Sequence, residues 1–225
     1  MRKMLNNFDI AQRIDHTCLR PDATTSDIDR ICKEAQGNEM RGVCVNPVYV
    51  MRAVSQLTSS QIEVVAVVGF PLGANTRHVK EKEACAAVAD GATEVDAVIN
   101  IGYFKNGDYN YVLDELKRIV NVVAPRWVKS IIETCYLTKD EIVIASKISL
   151  DAGCSFVKTS TGLGAGGATL EDIKLIRDTV RNKCGIKASG GIKSLSSATL
   201  CIEAGADVLG TSATMKILGE VRDLA

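Results

Sequence analysis

Histidine, proline, aromatic side chains and net charge are all scarce in this chain of 225 residues. Only His16 and His78 are present, far apart and with no cysteine or carboxylate at ligand spacing, so no metal site is expected. The eight cysteines are dispersed from Cys18 to Cys201 without a C-x-x-C pair, which reads as free thiols and not as a disulfide framework. Lys and Arg total 27 and Asp and Glu total 27, so no net field draws in nucleic acid or an acidic membrane surface. No run approaches the ~20 consecutive apolar residues of a membrane span, and Met1 to Asp9 holds no apolar core of a secretion signal. The expected location is the cytoplasm. With four prolines and no Pro-rich or Ser-rich linker, residues 1–225 are expected to form a single domain.

What the chain has is apolar substance, at 46% hydrophobic residues, and a regular alternation. Short β-branched runs recur at Arg13–Thr17, Gly42–Asn46, Val64–Gly69, Glu94–Asn100, Val128–Glu133, Ser155–Ser160, Gly185–Ser189 and Asp207–Thr211, each followed by a segment of helical period. From Tyr109 to Val123 the residues Tyr109, Val112, Leu113, Leu116, Ile119, Val120 and Val123 share one helix face, and Pro125 ends the helix. Thr138 with Glu141 forms a capping box for a helix ending at Gly153, and Thr169 with Asp172 opens another that runs to about Arg181. Glycines 91, 153 and 205 each close a helix and lead into a strand, and five residues beyond them stand Asp96, Lys158 and Gly210. Eight β/α units predict an α/β fold, a closed (β/α)8 TIM barrel, in preference to an open doubly wound sheet.

Strands covered on both faces should read as apolar, so an ionisable residue inside one needs a reason. Asp96, Lys158 and Lys187 are such residues. One explanation is structural: Asp96 pairs with one lysine while the other lysine extends to solvent. The other is chemical. A lysine amine attacks carbonyl carbon only when neutral, and a second ammonium with partial desolvation favours that state. A nearby carboxylate can then move protons, which describes a metal-free Schiff-base aldolase that needs no cofactor.

After Lys158 the chain runs Thr159 to Thr169 with Gly162, Gly164, Gly166 and Gly167. The spacing of Gly162, Gly164 and Gly167 fits a dinucleotide fingerprint, but the next strand ends in Lys and Ser without an acidic residue for a ribose. The loop is better suited to cradling an anion with backbone N–H groups, as are Ser189-Gly190-Gly191 and Gly210-Thr211-Ser212 after the seventh and eighth strands. A phosphorylated substrate is the expectation. Asp15-His16-Thr17 is expected to offer hydrogen bonds to substrate hydroxyls or an anionic partner for Lys187, with His16 equally readable as a structural histidine. Cys44 reads as a buried thiol, and Arg77, Lys80, Glu81, Lys82 and Glu83 as a solvated helix face. Candidate substrate-binding residues are therefore Asp15, Thr17, Thr159, Gly162, Gly190, Gly191, Gly210, Thr211 and Ser212.

Over nearly its whole length the sequence resembles the deoxyribose-phosphate aldolase family, of the short bacterial or archaeal type. The resemblance rests on Asp15-His16-Thr17, Val43-Cys44-Val45-Asn46-Pro47, Gly69-Phe70-Pro71-Leu72-Gly73, residues 94–102, Ile132-Glu133-Thr134, residues 157–162, residues 187–192 and Gly210-Thr211-Ser212. It implies a (β/α)8 barrel that reversibly cleaves 2-deoxy-D-ribose 5-phosphate to D-glyceraldehyde 3-phosphate and acetaldehyde in deoxyribonucleotide catabolism. The family's Schiff-base lysine falls on Lys158, its second lysine on Lys187 and its proton-transfer aspartate on Asp96. Two departures stand out. Val208 occupies a position where many members have arginine, which predicts a missing charge near the phosphate end and more reliance on backbone N–H groups. The chain also ends at Ala225 without the tyrosine-bearing tail of longer members, which predicts weaker closure over substrate.

Two rival functions are a lysine aldolase with a ketone donor such as dihydroxyacetone phosphate and a non-catalytic barrel that binds a sugar phosphate. The expected partner is a small phosphorylated sugar, with neither nucleic acid nor membrane. A homo-oligomer, dimer or tetramer, is compatible with the sequence, because an outer helix packed on a partner reads like one facing water.

Overall fold

The alternating pattern becomes a closed ring of eight parallel strands in the structure, a computed structural model that describes residues 7–223. Residues 1–6, which begin the stretch read for a secretion signal, and the terminal Ala225 lie outside the described residues. In chain order the elements are α1 (Asn7–Ala11), β1 (Ile14–Cys18), α2 (Thr25–Gly37), β2 (Gly42–Val45), α3 (Val50–Leu57), β3 (Glu63–Val68), α4 (Arg77–Ala89) and β4 (Glu94–Val98). There follow α5 (Ile101–Lys105), α6 (Tyr109–Val123), β5 (Trp127–Ile131), α7 (Lys139–Asp151), β6 (Phe156–Lys158), α8 (Leu170–Val180), β7 (Gly185–Ser189), α9 (Leu195–Glu203), β8 (Val208–Thr211) and α10 (Thr214–Arg222). The ring closes because β1 pairs with β2 through Asp15 opposite Gly42 and with β8 through Asp15 opposite Gly210.

Local chemistry explains the helix limits. The Thr138 hydroxyl accepts from Glu141 N–H while the Glu141 carboxylate returns to Thr138 N–H, and Thr169 caps α8 through Asp172 N–H. Gly91, Gly153 and Gly205 adopt φ of +102°, +83° and +116°, the left-handed turn that ends a helix and starts the next strand. The short α1 and α5 were not read from the sequence; five residues carry too little periodicity to stand out. Several predicted strands stop one or two residues early, at Val45, Val68, Val98, Ile131 and Lys158, where the chain leaves the ladder to build the mouth loops. No helix among the described residues is long and apolar enough to cross a membrane.

Burial divides into two regions. The main apolar core lies between barrel and helices, whereas inside the barrel Cys44, Val65 and Val67 form a small cluster with Leu19 and Phe70. Much of the remaining interior is charged, which is unusual for a barrel usually filled by branched apolar side chains. All eight cysteines are free, and only Cys85 and Cys135 are exposed.

Two expectations need correction. Lys80 does not belong to a solvated face: it is fully buried, 2.8 Å from Glu115 Oε1, and donates to the Val98 carbonyl. It shares the inward stripe of α4 with Ala84 and Ala87, at i+4 and i+7, so the small residues that let α4 approach the barrel also carry Lys80 inside. Val208 lies at the amino end of β8, buried and opposite Lys187 in register, and is not part of the mouth. An arginine there would enter the lower barrel and would not stand at the phosphate end.

Candidate active site

Asp96, Lys158 and Lys187 come together from three strands. Lys158 and Lys187 are register partners on β6 and β7, and Asp96 projects from β4 between them. Asp96 Oδ2 accepts from Lys158 Nζ at 2.8 Å and from Lys187 Nζ at 2.7 Å. Both lysines therefore reach the same carboxylate, and Lys187 is fully buried, so neither extends to solvent as the structural reading required.

The charges continue below them. Lys187 Nζ also donates to Asp15 Oδ2 at 2.5 Å, and Asp15 Oδ1 accepts from Arg41 at 2.6 Å. Arg41 donates from both terminal nitrogens to Glu94, which also accepts from Lys129, and Lys129 Nζ lies 3.1 Å from Asp96 Oδ1. The circuit Asp96–Lys187–Asp15–Arg41–Glu94–Lys129 is thus closed, with Lys158 attached to it at Asp96. Space for it comes from missing side chains: a Cβ on Gly42 would sit 3.0 Å from Asp15 Oδ1, and one on Gly210 would sit 3.0 Å from Lys187 Cε.

Burial alone would raise both carboxyl groups, but the surrounding cations reverse it. Lys187, Arg41 and Lys129 hold Asp15 well below the usual carboxylate range, and Lys129, Lys158 and Lys187 do the same for Asp96. Burial would strip Lys187 of its proton, yet Asp15 and Asp96 push it above an ordinary lysine. Lys187 is therefore an ammonium and Asp96 a carboxylate, so the like-charge repulsion expected between the two lysines is offset by the acid they share.

Above this circuit opens a cleft of about 420 Å³. Its wall includes Lys158 but none of Lys187, Asp96 and Asp15. Of the other candidates, Thr17, Gly162, Gly190, Gly191, Gly210, Thr211 and Ser212 line it. Gly162, Gly190 and Gly191 all have φ near +85°, at +85°, +86° and +80°, a backbone conformation that glycine adopts freely and other residues rarely do. The loops after β6 and β7 touch through backbone, since a Cβ on Gly167 would fall 2.3 Å from the Gly190 carbonyl.

Asp15 and Thr159 are not brought to the wall. Asp15 is committed to Lys187 and Arg41, and the Thr159 hydroxyl donates to the Ser189 carbonyl and accepts from Ser189 N–H. The Thr211 hydroxyl donates to the Ile192 carbonyl, so it shapes the loop after β8. His16 is satisfied on both nitrogens, by Glu34 at 2.7 Å and Thr214 at 2.9 Å, and burial lowers its pKa. Cys44 is buried, with its thiol pushed up by burial.

Sequence reasoning missed four groups. Glu94 and Lys129 are, like Asp96, ionisable side chains in buried strands, but they stand at or next to the start of the runs read from the sequence, and Arg41 directly precedes β2. Glu133, left-handed at φ +51° and buried, accepts from Thr161 N–H and from its hydroxyl, and so fixes the loop that follows Lys158. The cleft wall also contains Lys193 together with Arg20 and Arg30, the two arginines paired with Asp22, Asp27 and Glu34, so it carries cationic side chains beside its backbone N–H groups.

A family model described as DeoC/LacD family aldolase matches residues 10–220. The deoxyribose-phosphate aldolase of Thermoanaerobacter sp. (strain X514) is 49% identical over 216 residues, covering 95% of this chain and 97% of the relative. That of Carboxydothermus hydrogenoformans is 49% identical over 219 residues, covering 96% of each. Among solved structures, the tetrameric deoxyribose phosphate aldolase of Aeropyrum pernix matches with a TM-score of 0.91 at 32% identity, covering 97% of this chain and 93% of that one.

Proposed function

Because this chain belongs to the DeoC/LacD aldolase family, we propose that it reversibly cleaves 2-deoxy-D-ribose 5-phosphate to acetaldehyde and D-glyceraldehyde 3-phosphate. The observation that carries the proposal is that Lys158, alone among the four cations of the charged interior, opens on the cleft while touching the Asp96 carboxylate at 2.8 Å. Neutral Lys158 attacks C1 of the open-chain aldehyde, and loss of water leaves an iminium on Nζ. Removal of the C3 hydroxyl proton lets the C2–C3 bond break, its electron pair passing into the iminium to give an enamine as C3 becomes the aldehyde of glyceraldehyde 3-phosphate. The enamine takes a proton at C2, water adds to the resulting imine, and acetaldehyde leaves with Lys158 restored. Asp96 and Lys187, linked at 2.7 Å, are the acid–base pair beside these steps. The glycine loops at 162, 190–191 and 210 and the cations Arg20, Arg30 and Lys193 receive the phosphate.

The same reading makes the protein a cytoplasmic enzyme of deoxyribonucleotide breakdown. It also makes it a homo-oligomer, which the tetramer of the Aeropyrum pernix relative supports. The test is to incubate the protein with acetaldehyde and borohydride and locate the reduced adduct by peptide mass spectrometry. An ethyl group on Lys158 is expected, with turnover in Lys158→Ala lower by about four orders of magnitude. An adduct on Lys187 exchanges the lysine roles, and no adduct on folded protein overturns the proposal. Cleavage of a ketose phosphate in place of the deoxy sugar identifies the ketone-donor aldolase instead.

A further inference from the structure

Taking Lys158 as the imine-forming amine, we infer that Glu94, Lys129 and Arg41 are positioning residues whose charge balance sets the pH at which Lys158 becomes a free amine. None of the three reaches the cleft. Their effect passes through Asp15, Asp96 and Lys187, with which they form the closed circuit. Signs alternate around it, three carboxylates against three cations, so the circuit by itself is neutral.

Lys158 is the fourth cation and the odd one. Each cation of the circuit holds at least two carboxylates: Lys187 holds Asp15 and Asp96, Arg41 holds Asp15 and Glu94, and Lys129 holds Glu94 and Asp96 and lies 4.0 Å from Asp15 as well. Lys158 holds Asp96 alone. In a dry interior a surplus charge is expensive, and of the four cations Lys158 is the one with least to lose by giving up a proton. A neutral circuit below it therefore favours the amine that attack on an aldehyde requires.

Every wall of the barrel bears on this count. β1 supplies Asp15, the approach to β2 supplies Arg41, β4 supplies Glu94 and Asp96, β5 supplies Lys129 and β7 supplies Lys187. β2 adds the Cys44 thiol, which burial keeps protonated. β3 contributes Val65 and Val67 to the interior and has half-buried Glu63 at its lower end, and β8 contributes Val208 and Gly210, with no charge. On the cleft side stand Lys193, His16 held by Glu34, and Arg20 and Arg30 paired with Asp22, Asp27 and Glu34, while Glu133 lies buried beneath Thr161.

The experiment follows the rate of borohydride trapping of acetaldehyde on Lys158 as a function of pH in the whole protein. Glu94→Gln removes an anion, and the acid limb of the profile should move down by about one pH unit; Lys129→Met removes a cation, and the limb should move up by about as much. The double variant Glu94→Gln/Lys129→Met restores the balance and should return the limb to the wild-type position, as should Lys129→Arg. Arg41→Gln, at the partly exposed edge of the circuit, should move the limb in the same direction as Lys129→Met and serves if that variant does not fold. A purely structural role predicts that both single variants lose trapping with the limb unmoved, and that result overturns the inference, as does a shift of both in one direction. Absence of trapping in the wild-type protein overturns the imine reading and this inference with it.

Discussion

Gly210 is a residue whose missing atoms are functional. A Cβ there would meet Lys187 Cε and Ser189 Cβ at 3.0 Å each, so Gly210→Ala must shift Lys187 or Ser189 by a few tenths of an ångström, against the carboxylates that hold Lys187. Steady-state kinetics should show kcat reduced by about tenfold to a hundredfold, with KM less affected, because reacting groups misplaced by a fraction of an ångström lose rate out of proportion to stability. A wild-type kcat in Gly210→Ala would mean that Lys187 has room the packing does not show. At this scale the sequence was informative where an ionisable side chain stood in the middle of an apolar strand, as Asp96, Lys158 and Lys187 do. Glu94 sits at a strand's first position and Lys129 at the second residue of a predicted run, where a charge passes for a strand end. The roles of Asp15 and Thr159 were less legible, since nothing in one dimension tells whether a polar side chain at a strand end meets substrate or a neighbouring strand.

Among elements, α4 and α6 enclose a second ion pair outside the barrel. Lys80 and Glu115 are both fully buried; Lys80 donates to the Val98 carbonyl, and Glu115 accepts from Asn100 N–H, so the pair pins the chain just beyond β4. Burial pushes Lys80 down and Glu115 up in spite of their mutual attraction. Such a pair holds register more than it adds stability. Lys80→Met alone, which leaves Glu115 without its cation, should lower unfolding free energy by about 3–5 kcal/mol, whereas Lys80→Met/Glu115→Leu should recover most of the loss, as read from urea unfolding. Equal losses in both variants would show the pair to be a net stabiliser. The helices themselves were read well because capping boxes and apolar stripes act within one turn, as at Thr138 and along α6. Lys80 was misread because its own charge outweighed the quieter signal of Ala84 and Ala87 on the same stripe.

For the whole molecule, the eightfold alternation was sufficient to specify a closed barrel, since short connections and right-handed crossovers leave few other arrangements. The convergence of Asp96, Lys158 and Lys187 was legible and its extension through Arg41, Glu94 and Lys129 was not, and this interior charge governs how stability responds to pH. Asp15 and Asp96 have lowered folded pKa values, so their contribution is present above the ordinary aspartate value of about 3.9 and is lost as pH falls through the folded values. His16, also lowered, adds a milder loss that begins near its ordinary value of about 6.5. Lys187 is raised, so its contribution is complete below an ordinary lysine value of about 10.4 and is lost only at higher pH. The thiols of Cys32, Cys44, Cys154, Cys184 and Cys201 are pushed up by burial, so stability is lost as pH rises past the ordinary cysteine value of about 8.5. Thermal unfolding should therefore give a level Tm from about pH 7 to 8, a decline above about 8.5, a shallow decline below about 6.5 and a steep one below about 4. A Tm that rises on acidification from pH 7 to 5 would contradict these signs.

The circuit of six charges also responds to heat in a way the surrounding hydrocarbon does not. Removing water from an ion costs less as temperature rises, because ionic hydration is opposed by entropy, while apolar burial gains little further per unit area. On warming, the polar axis of this barrel thus becomes stronger relative to its apolar shell, and the centre that holds Lys158 in place is the part of the fold least weakened by heat.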